Sequence, residues 1–415
     1  MKVTLICNSD LLGGASVVTY RLMQALNHEG IDARMLVYTR LTDDPQVEVV
    51  GTRTMRGATF LWERGLIYLN NGMNRKDLFK VSVANTGYPL HKHPCVKDAD
   101  IIVISWINQG LLSLEGIKRI AELGKPIVWT MHDMWNLTGI CHHAYDCHRY
   151  KEQCGKCPLL GARKENDLSR HTWERKLNLY NTTPIHFVAV SHWLADRCAE
   201  SSLMKGRDVS VIPNAVPADS FFTSTTHRLT EFGIDYSRNL IVMGAARLDE
   251  HIKGLPYAIE ALNYLFDNHP EVARHAQIVF FGDLRHPEVL DTIRFPHVWT
   301  GRINDPKLLR MIYASSKVVL SSSLYETLPG TLIEGQASGC LPVTFGRGGQ
   351  SDIVTHLKDG YIAEYLNPKS LAEGLRWALS QNPDRQALHD SVRDRFSSAE
   401  VARRYITLFN RLLSK

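Results

Sequence analysis

Long apolar runs, charge clusters and low-complexity tracts are all absent from this sequence of 415 residues. The longest unbroken apolar stretches, such as Ile101–Ile104, are far shorter than the roughly 20 residues that span a bilayer. The amino terminus turns polar after one short apolar run, so it lacks the longer apolar segment of a signal peptide. We therefore expect no transmembrane helix and a cytoplasmic protein, which could also lie at the inner face of the cell membrane.

A strong charge of either sign is also absent. The 48 Lys and Arg residues exceed the 43 Asp and Glu residues by only five, which does not indicate nucleic acid as a partner. The small surplus is compatible with a phosphate-bearing ligand and with peripheral contact with an anionic membrane. Cysteine is sparse, with eight residues in a long chain, which favours a reducing compartment.

Short apolar runs alternate with helical patterns, as is typical of α/β proteins with parallel sheets. The candidate strands of the first half are Val3–Cys7, Ala33–Tyr38, Asp100–Ser105, Ile127–Met131 and Ile185–Val190. Those of the second half are Leu240–Ala245, Ile278–Phe281, His297–Thr300, Val318–Ser321 and Leu341–Thr344. Two helices, Ser16–His28 and Ser191–Ser201, each begin with a Ser suited to the N-cap. Residues 51–95 and 139–160 do not fit this alternation.

The alternation predicts two Rossmann-like domains in tandem, over residues 1–213 and 214–397. A connector rich in proline, Pro213–Pro217, marks the crossing point. The last segment, residues 398–415, contains a predicted amphipathic helix, Ser398–Leu413. Its apolar face consists of Val401, Tyr405, Leu408, Phe409 and Leu412.

A glycine pair, Gly13 and Gly14, lies between the first strand and its helix. Glycines let a ligand approach the backbone there, and the helix presents unpaired N–H groups that suit an anion such as phosphate. The alternative is that the pair only makes a tight turn.

Two cations follow the first strand of the second half, Arg247 and Lys253. In an open α/β sheet, ligands bind at the carboxyl ends of the strands, where both residues are expected. Together they could neutralise a diphosphate and stabilise it as it departs. The alternative is a pair of solvated surface charges.

Two carboxylates, Glu326 and Glu334, flank a Pro-Gly turn after the strand Val318–Ser321. A carboxylate is a good acceptor for sugar hydroxyls, and exposed backbone at a helix start can receive an anion. The backbone in question is that of Leu328, Pro329 and Gly330. The alternative is an ordinary helix start with acidic residues that favour its dipole.

These motifs occur in one order along nearly the whole chain. They are Gly13-Gly14-Ala15, His132-Asp133, Val190-Ser191, Ile212-Pro213-Asn214, Arg247 with Lys253-Gly254, Glu326 with Glu334, Ala337–Val343 and Asp359-Gly360. The ordered set resembles the retaining glycosyltransferases of family 4, and in particular members of bacterial polysaccharide biosynthesis. The resemblance implies the α/β GT-B fold, with two facing Rossmann-like domains and a C-terminal helix that crosses back to the first domain.

The resemblance also implies roles for individual residues. Gly13 and Gly14 would admit the donor diphosphate. Arg247 and Lys253 would bind that diphosphate and stabilise the leaving nucleoside diphosphate, together with the turn that contains Leu328, Pro329 and Gly330. Glu326 would contact hydroxyls of the transferred sugar. Glu334 would hold the ribose, and His132 would lie beside the donor sugar.

The family resemblance gives the first domain the acceptor side and the second domain the nucleotide sugar. It implies a UDP-type or GDP-type donor and a glycan or lipid-linked acceptor. Retention in the family is explained by front-face attack, with the leaving phosphate accepting the proton, so no cofactor is required for catalysis. The chain departs from the family at Thr327–Gly330, where Gly-Phe-Gly is usual, and this leaves the sugar open.

Four cysteines fall in the insert 139–160, spaced C-x5-C-x6-C-x2-C. They are Cys141, Cys147, Cys154 and Cys157. Four thiolates in a reducing compartment are what a tetrahedral structural zinc needs. Reduced thiols without metal and disulfides are the alternatives, because the spacing is not a standard zinc pattern.

Three other functions compete with the transferase. A sugar-nucleotide epimerase of the same fold would need no acceptor, and a non-catalytic glycan-binding protein would need no reacting groups. A nicotinamide-dependent oxidoreductase fits the bare alternation, but the segment Gly13–Ser16 lacks the G-x-G-x-x-G spacing of dinucleotide sites.

Overall fold

The computed structural model describes residues 1–161, 163–222 and 232–414. The chain divides into two compact units. One consists of Met1–Ala215 with Val401–Lys415, and the other consists of Val216–Glu400. Within the described part of the chain, no helix combines the length and the apolar composition that crossing a membrane requires.

The first unit is built on one parallel sheet. Its elements are β1 (Lys2–Ile6), α1 (Gly14–His28), β2 (Asp32–Val37), β3 (Val47–Val49), α2 (Arg53–Asn70), α3 (Pro94–Asp98), β4 (Ile101–Ile104), α4 (Leu114–Ala121), β5 (Ile127–Met131), α5 (Leu168–Thr182), β6 (Ile185–Ala189), α6 (His192–Glu200) and β7 (Val209–Val211). Among the described residues the strand order is β3-β2-β1-β4-β5-β6-β7, and all neighbours are parallel. The central strand β4 is fully buried, as in parallel sheets with helices on both faces.

The second unit repeats the plan. Its elements are β8 (Asn239–Arg247), α7 (Leu255–Asn268), α8 (Pro270–His275), β9 (Ala276–Asp283), β10 (His297–Trp299), α9 (Pro306–Ser315), β11 (Val318–Ser321), α10 (Gly330–Ala337), β12 (Leu341–Phe345), β13 (Tyr361–Ala363), α11 (Pro368–Ser380) and α12 (Arg385–Phe396). The described strands lie in the order β10-β9-β8-β11-β12-β13, again all parallel. Both sheets are therefore Rossmann-like, which confirms the predicted fold class.

The last helix, α13 (Ser398–Leu413), belongs mainly to the first unit. Its apolar face, with Tyr405 and Phe409 at the centre, joins the core formed by β1, β2 and β4. The Tyr405 hydroxyl also shares a hydrogen bond of 2.8 Å with the Thr130 hydroxyl on β5. The predicted return of the C-terminal helix to the first domain is confirmed.

The ten predicted strands each overlap an observed one, but one helix start was wrong. Helix α1 begins at Gly14 rather than at Ser16, because Gly13 takes the N-cap position with a φ of 88°. Ser16 is buried inside the first turn instead. The predicted cap at Ser191 is confirmed, since its hydroxyl accepts a hydrogen bond from the Leu194 N–H. Strands β3 and β13 and helix α2 were not predicted.

Candidate active site

The strand order of the second unit reverses between β8 and β11, and that reversal is where ligands bind in open α/β sheets. Arg247 is the last residue of β8, and the segment that leads to Glu326 leaves β11 directly beside it. The predicted cationic and acidic residues of this unit therefore meet at the switch point of its sheet.

Lys253 and Glu326 form an ion pair, with 2.5 Å between Nζ and Oε1. Both side chains are about three-quarters buried, since their exposed fractions are 27% and 21%. The carboxylate raises the pKa of Lys253 against the effect of burial, so the ammonium stays charged at neutral pH. Arg247 instead turns toward Asp249, at 3.5 Å, and Glu250. A diphosphate could take the place of these acidic partners.

A turn anchored to the backbone places Lys253 opposite Glu326. The Ser322 hydroxyl donates to the Lys253 carbonyl at 3.0 Å, and the Leu324 N–H donates to the Ile252 carbonyl at 2.8 Å. Gly254 follows with a φ of 65°, and a Cβ there would collide with the Ser322 carbonyl oxygen. The turn needs glycine on both counts.

The loop after β12 holds Glu326 from the other side. The Gly349 N–H donates to the Glu326 carbonyl at 2.9 Å. Gly348 has a φ of 135°, and a Cβ there would collide with the same carbonyl oxygen. The family resemblance marks Gly348–Asp352 as a motif in which Glu is more usual than Asp352, but the sequence did not predict the contact of this loop with Glu326.

Helix α10 starts beside Glu326 and carries Glu334, as predicted. Pro329 is its N-cap residue and has no N–H, so the first helical donors come from Gly330 onward. Leu328 and Pro329 are buried, whereas Gly330 is exposed. Any anion at this helix start would therefore be held by the N–H of Gly330 and those that follow it, and not by Pro329.

In the first unit, Gly13 and Gly14 follow β1 and open α1. Apart from adjacent residues and the backbone of α1 itself, no described atom lies within 4 Å of the position where a Cβ would stand at either residue, so the backbone is accessible from that side. The preceding turn is held by Asp10, whose buried carboxylate accepts hydrogen bonds from the N–H groups of Leu41 and Thr42. Sequence reasoning did not identify Asp10.

His132 follows β5 at the same edge of that sheet, beyond the carboxyl end of the strand. Burial lowers the pKa of His132 to about 4, against the opposing effects of Asp133 and Asn214. The imidazole is therefore neutral at pH 7. It can accept or donate a hydrogen bond but carries no charge.

Asp133 is the centre of a network that sequence reasoning did not predict. Its Oδ2 accepts hydrogen bonds from Nε1 of Trp106, at 3.1 Å, and from Nδ1 of His142, at 2.7 Å. Burial acts to raise the pKa of Asp133, but His142, His143 and the Trp135 N–H together outweigh it, and the pKa falls to about 2. The insert 139–160 is thus tied directly to the segment that carries His132.

The four cysteines of the insert line a single cavity of about 570 Å³. None of the eight cysteines forms a disulfide in the structure. Burial raises the pKa of Cys154 to about 11 and that of Cys157 to about 12. Zinc at this cluster stays a prediction. Within the described residues, the group whose ligand atoms all lie within 4.8 Å of one another is a different one, Glu48, His93 and Cys95.

Fold and site together define an α/β protein with two Rossmann-like units, each built on a parallel sheet. Residues 12–220 match the family described as Glycosyltransferase Family 4, which is half of the chain, and residues 231–395 match Glycosyl transferases group 1. The chain belongs to glycosyltransferase family 4.

Relatives and solved structures agree with this assignment. Spore coat protein SA of Bacillus subtilis is 31% identical over 161 residues, which is 36% of this chain but only 41% of that protein. D-inositol 3-phosphate glycosyltransferase of Corynebacterium urealyticum is 23% identical over 96% of this chain and 91% of its own.

Among solved structures, a glycosyltransferase from Rickettsia africae matches with a TM-score of 0.65, at 15% identity over 100% of this chain and 99% of its own. Anabaena HepE in complex with UDP-glucose matches with a TM-score of 0.62, at 15% identity over 99% of this chain and 100% of its own. These likenesses show the GT-B fold.

Proposed function

We propose that this chain is a retaining hexosyltransferase, which moves a sugar from a nucleotide-sugar donor to a hydroxyl of a glycan or lipid-linked glycan. Its proposed setting is the synthesis of a bacterial surface polysaccharide. The observation that carries the proposal is the Lys253–Glu326 ion pair at the switch point of the second sheet, beside Arg247. A diphosphate needs a cation, and the hydroxyls of a transferred sugar need a hydrogen-bond acceptor. Lys253 supplies the first and Glu326 the second.

The donor in this proposal is a UDP-sugar, with a GDP-sugar as the second choice. UDP-glucose is bound by Anabaena HepE, a protein of the same fold. In the proposed complex, Arg247 and Lys253 bind the diphosphate and Glu326 is released to accept hydroxyls of the sugar. Glu334, one turn into α10, holds the ribose.

The proposed reaction proceeds by front-face attack of the acceptor hydroxyl on the anomeric carbon. The bond to the diphosphate breaks, and the departing phosphate oxygen takes the acceptor proton. The two cations stabilise the negative charge that develops on the leaving group, which is the usual source of rate enhancement in such sites. His132, neutral at pH 7, would contact the donor sugar by hydrogen bonding alone. No cofactor enters this scheme.

A thermal-shift series with UDP, GDP, ADP and their common sugars tests donor binding. A ligand at a hundredfold excess over Kd stabilises the folded protein by about 2.7 kcal/mol, which the melting curve will register. We expect a shift with uridine nucleotides that Glu334→Ala abolishes and that the exposed control Glu288→Ala leaves intact. No shift with any nucleotide would contradict the proposal.

The anomeric configuration of the product tests retention. With an α-linked donor, we expect an α-linked product by NMR, and a β-linked product would contradict it. Incubation without acceptor separates the epimerase, which would still convert the donor. Arg247→Ala and Glu326→Ala should each abolish transfer. A glycan-binding protein without catalysis would lose no function in either variant.

We also propose that the protein contacts an anionic membrane where it meets a lipid-linked acceptor. The exposed side chains of helix α2 support this membrane contact. Leu61, Trp62 and Leu69 expose about two-thirds of their surface, and Met73 and Phe79 in the following turn do the same. The charged residues of 51–80 that are classed as exposed are all basic, namely Arg53, Arg75, Lys76 and Lys80. Exposed apolar side chains, a Trp and flanking cations are typical of helices that lie in the membrane interface.

Flotation with vesicles of phosphatidylcholine, with and without phosphatidylglycerol, tests this membrane contact. We expect binding to the anionic vesicles, loss of binding in Trp62→Glu and in Leu69→Glu, and full binding in the control Phe266→Glu on α7. Equal binding of all three variants, or none by the parent protein, would contradict the contact. The nucleotide-induced shift should persist in the α2 variants.

A further inference from the structure

We propose that Cys141, Cys147, Cys154 and Cys157 bind one structural zinc ion. The four residues are spread along the insert 139–160, yet all of them line the same cavity. The four sulfurs are not among the described groups whose ligand atoms all lie within 4.8 Å of one another, so they would have to move closer to bind an ion in this cavity of about 570 Å³. Four cysteines around one cavity supply the number and type of ligands that a structural zinc ion takes.

Backbone donors already face two of the sulfurs. The Gly139 N–H donates a hydrogen bond to Sγ of Cys154 at 3.1 Å. A backbone hydrogen bond from Leu159 acts to lower the pKa of Cys157. Gly139 is needed for this approach, because a Cβ there would collide with the Ser169 carbonyl oxygen. Outer-shell N–H groups that bond the ligands orient and stabilise a metal site, whereas a neutral thiol is only a weak acceptor.

The charge beside the cluster also fits. Lys176 on α5 is fully buried, and its two hydrogen-bond acceptors, the carbonyls of Trp135 and Thr138, are uncharged. Burial lowers the pKa of Lys176 well below its usual value, and the groups that act against this effect are Cys141, Cys154 and Asp133. A zinc ion with four thiolates carries a net charge of about −2, so the complex would favour the ammonium form of Lys176 against the effect of burial.

The insert has anchors at both ends but little apolar material between them. At one end, the His142 ring is hydrogen-bonded to the Asp133 carboxylate, and the backbone N–H of His142 donates to the Lys80 carbonyl at 3.1 Å. At the other, the Cys157 N–H donates to Asp167, the N-cap residue of α5. A metal between these anchors would order the loop, because metal binding couples directly to folding in such segments.

Metal analysis of the full chain tests the site. Protein produced with added zinc and purified without chelator should contain about one zinc ion per chain by mass spectrometry. The variant Cys154→Ser should lose most of it. Cys95→Ser is the matched control, because Cys95 belongs to the Glu48–His93–Cys95 group outside the insert, and it should keep the zinc. Zinc lost in Cys95→Ser and kept in Cys154→Ser would overturn the proposal, as would metal-free parent protein.

X-ray absorption on the parent protein keeps the proposal testable if Cys154→Ser fails to fold. We expect a shell of four sulfurs at about 2.3 Å from zinc. A shell of fewer than four sulfurs would overturn the four-cysteine assignment. Neither measurement depends on the proposed transferase activity, so failure of one proposal is distinguishable from failure of the other.

Discussion

At the scale of single residues, the Lys253–Glu326 pair makes a prediction about stability. Glu326→Gln removes the nearest counter-charge of a mostly buried ammonium, which should lower the free energy of unfolding by about 1–3 kcal/mol. Urea denaturation measures the change. The surface variant Glu288→Gln should stay within about 0.5 kcal/mol of the parent. Equal losses of stability in Glu326→Gln and Glu288→Gln would show that the ion pair does not stabilise the buried ammonium of Lys253.

His132 makes a prediction about pH. Its pKa is about 4 in the folded protein and about 6.5 in the unfolded chain, so only the unfolded chain gains a proton between these values. Stability should therefore fall as the pH drops from 6.5 to 4, by at most about 3 kcal/mol. His132→Gln should remove this part of the pH dependence. In the folded protein Asp133 titrates below that pH range, so it does not obscure the effect. Parallel curves of stability against pH for the parent and His132→Gln would contradict a buried, neutral imidazole.

Charged residues of the candidate site were predicted from the sequence more successfully than the residues that hydrogen-bond to the site from other segments. Lys253 and Glu326 were predicted from residue type and position after a strand, and the structure brings them together. Trp106 and His142, which bond Asp133, lie on separate segments, and nothing local marks them as neighbours. Contacts of this kind depend on the register of the whole sheet, which local patterns do not encode.

At the scale of elements, buried strands were predicted well because apolar runs bounded by polar residues mark them. Helix α2 was missed because few of its apolar residues face a core: Ile67 is buried, but Trp62 and Leu69 are exposed. The start of α1 was displaced because a serine was preferred over Gly13 as the N-cap. For α1, a serine was a reasonable N-cap, but the left-handed backbone at Gly13 sets the start of the helix. For α2, the exposure of the large apolar side chains removed the pattern that marks a buried helix face.

The turn at Gly254 makes a prediction at this scale. Gly254→Ala combines a left-handed φ with a collision at Ser322, so we expect a destabilisation of about 1–3 kcal/mol. Gly330→Ala, at the first position of α10, meets no described atom within 4 Å beyond its neighbours and its own helix, and it should change stability by less than about 0.5 kcal/mol. Chemical denaturation of both variants provides the test. Similar values would mean that the turn can relax at little cost.

At the scale of the whole molecule, order along the chain and order in space differ. Helix α13 comes last in the sequence, after the entire second unit, yet its apolar face completes the core of the first. The amphipathic pattern predicted a helix, and the family resemblance supplied its destination. Periodicity alone shows which face is buried but cannot say against which sheet.

This arrangement makes a prediction about where the chain opens. Phe409→Ala removes a fully buried ring from the first unit and should cost about 3–5 kcal/mol. Hydrogen exchange read by mass spectrometry on the full chain should then show lost protection in residues 1–215, although the substitution lies near the carboxyl terminus. Phe345→Ala on β12, an equally buried ring, is the matched control and should loosen residues 216–400 instead. If Phe409→Ala loosened only the second unit or only the last helix, α13 would not be part of the first unit's core.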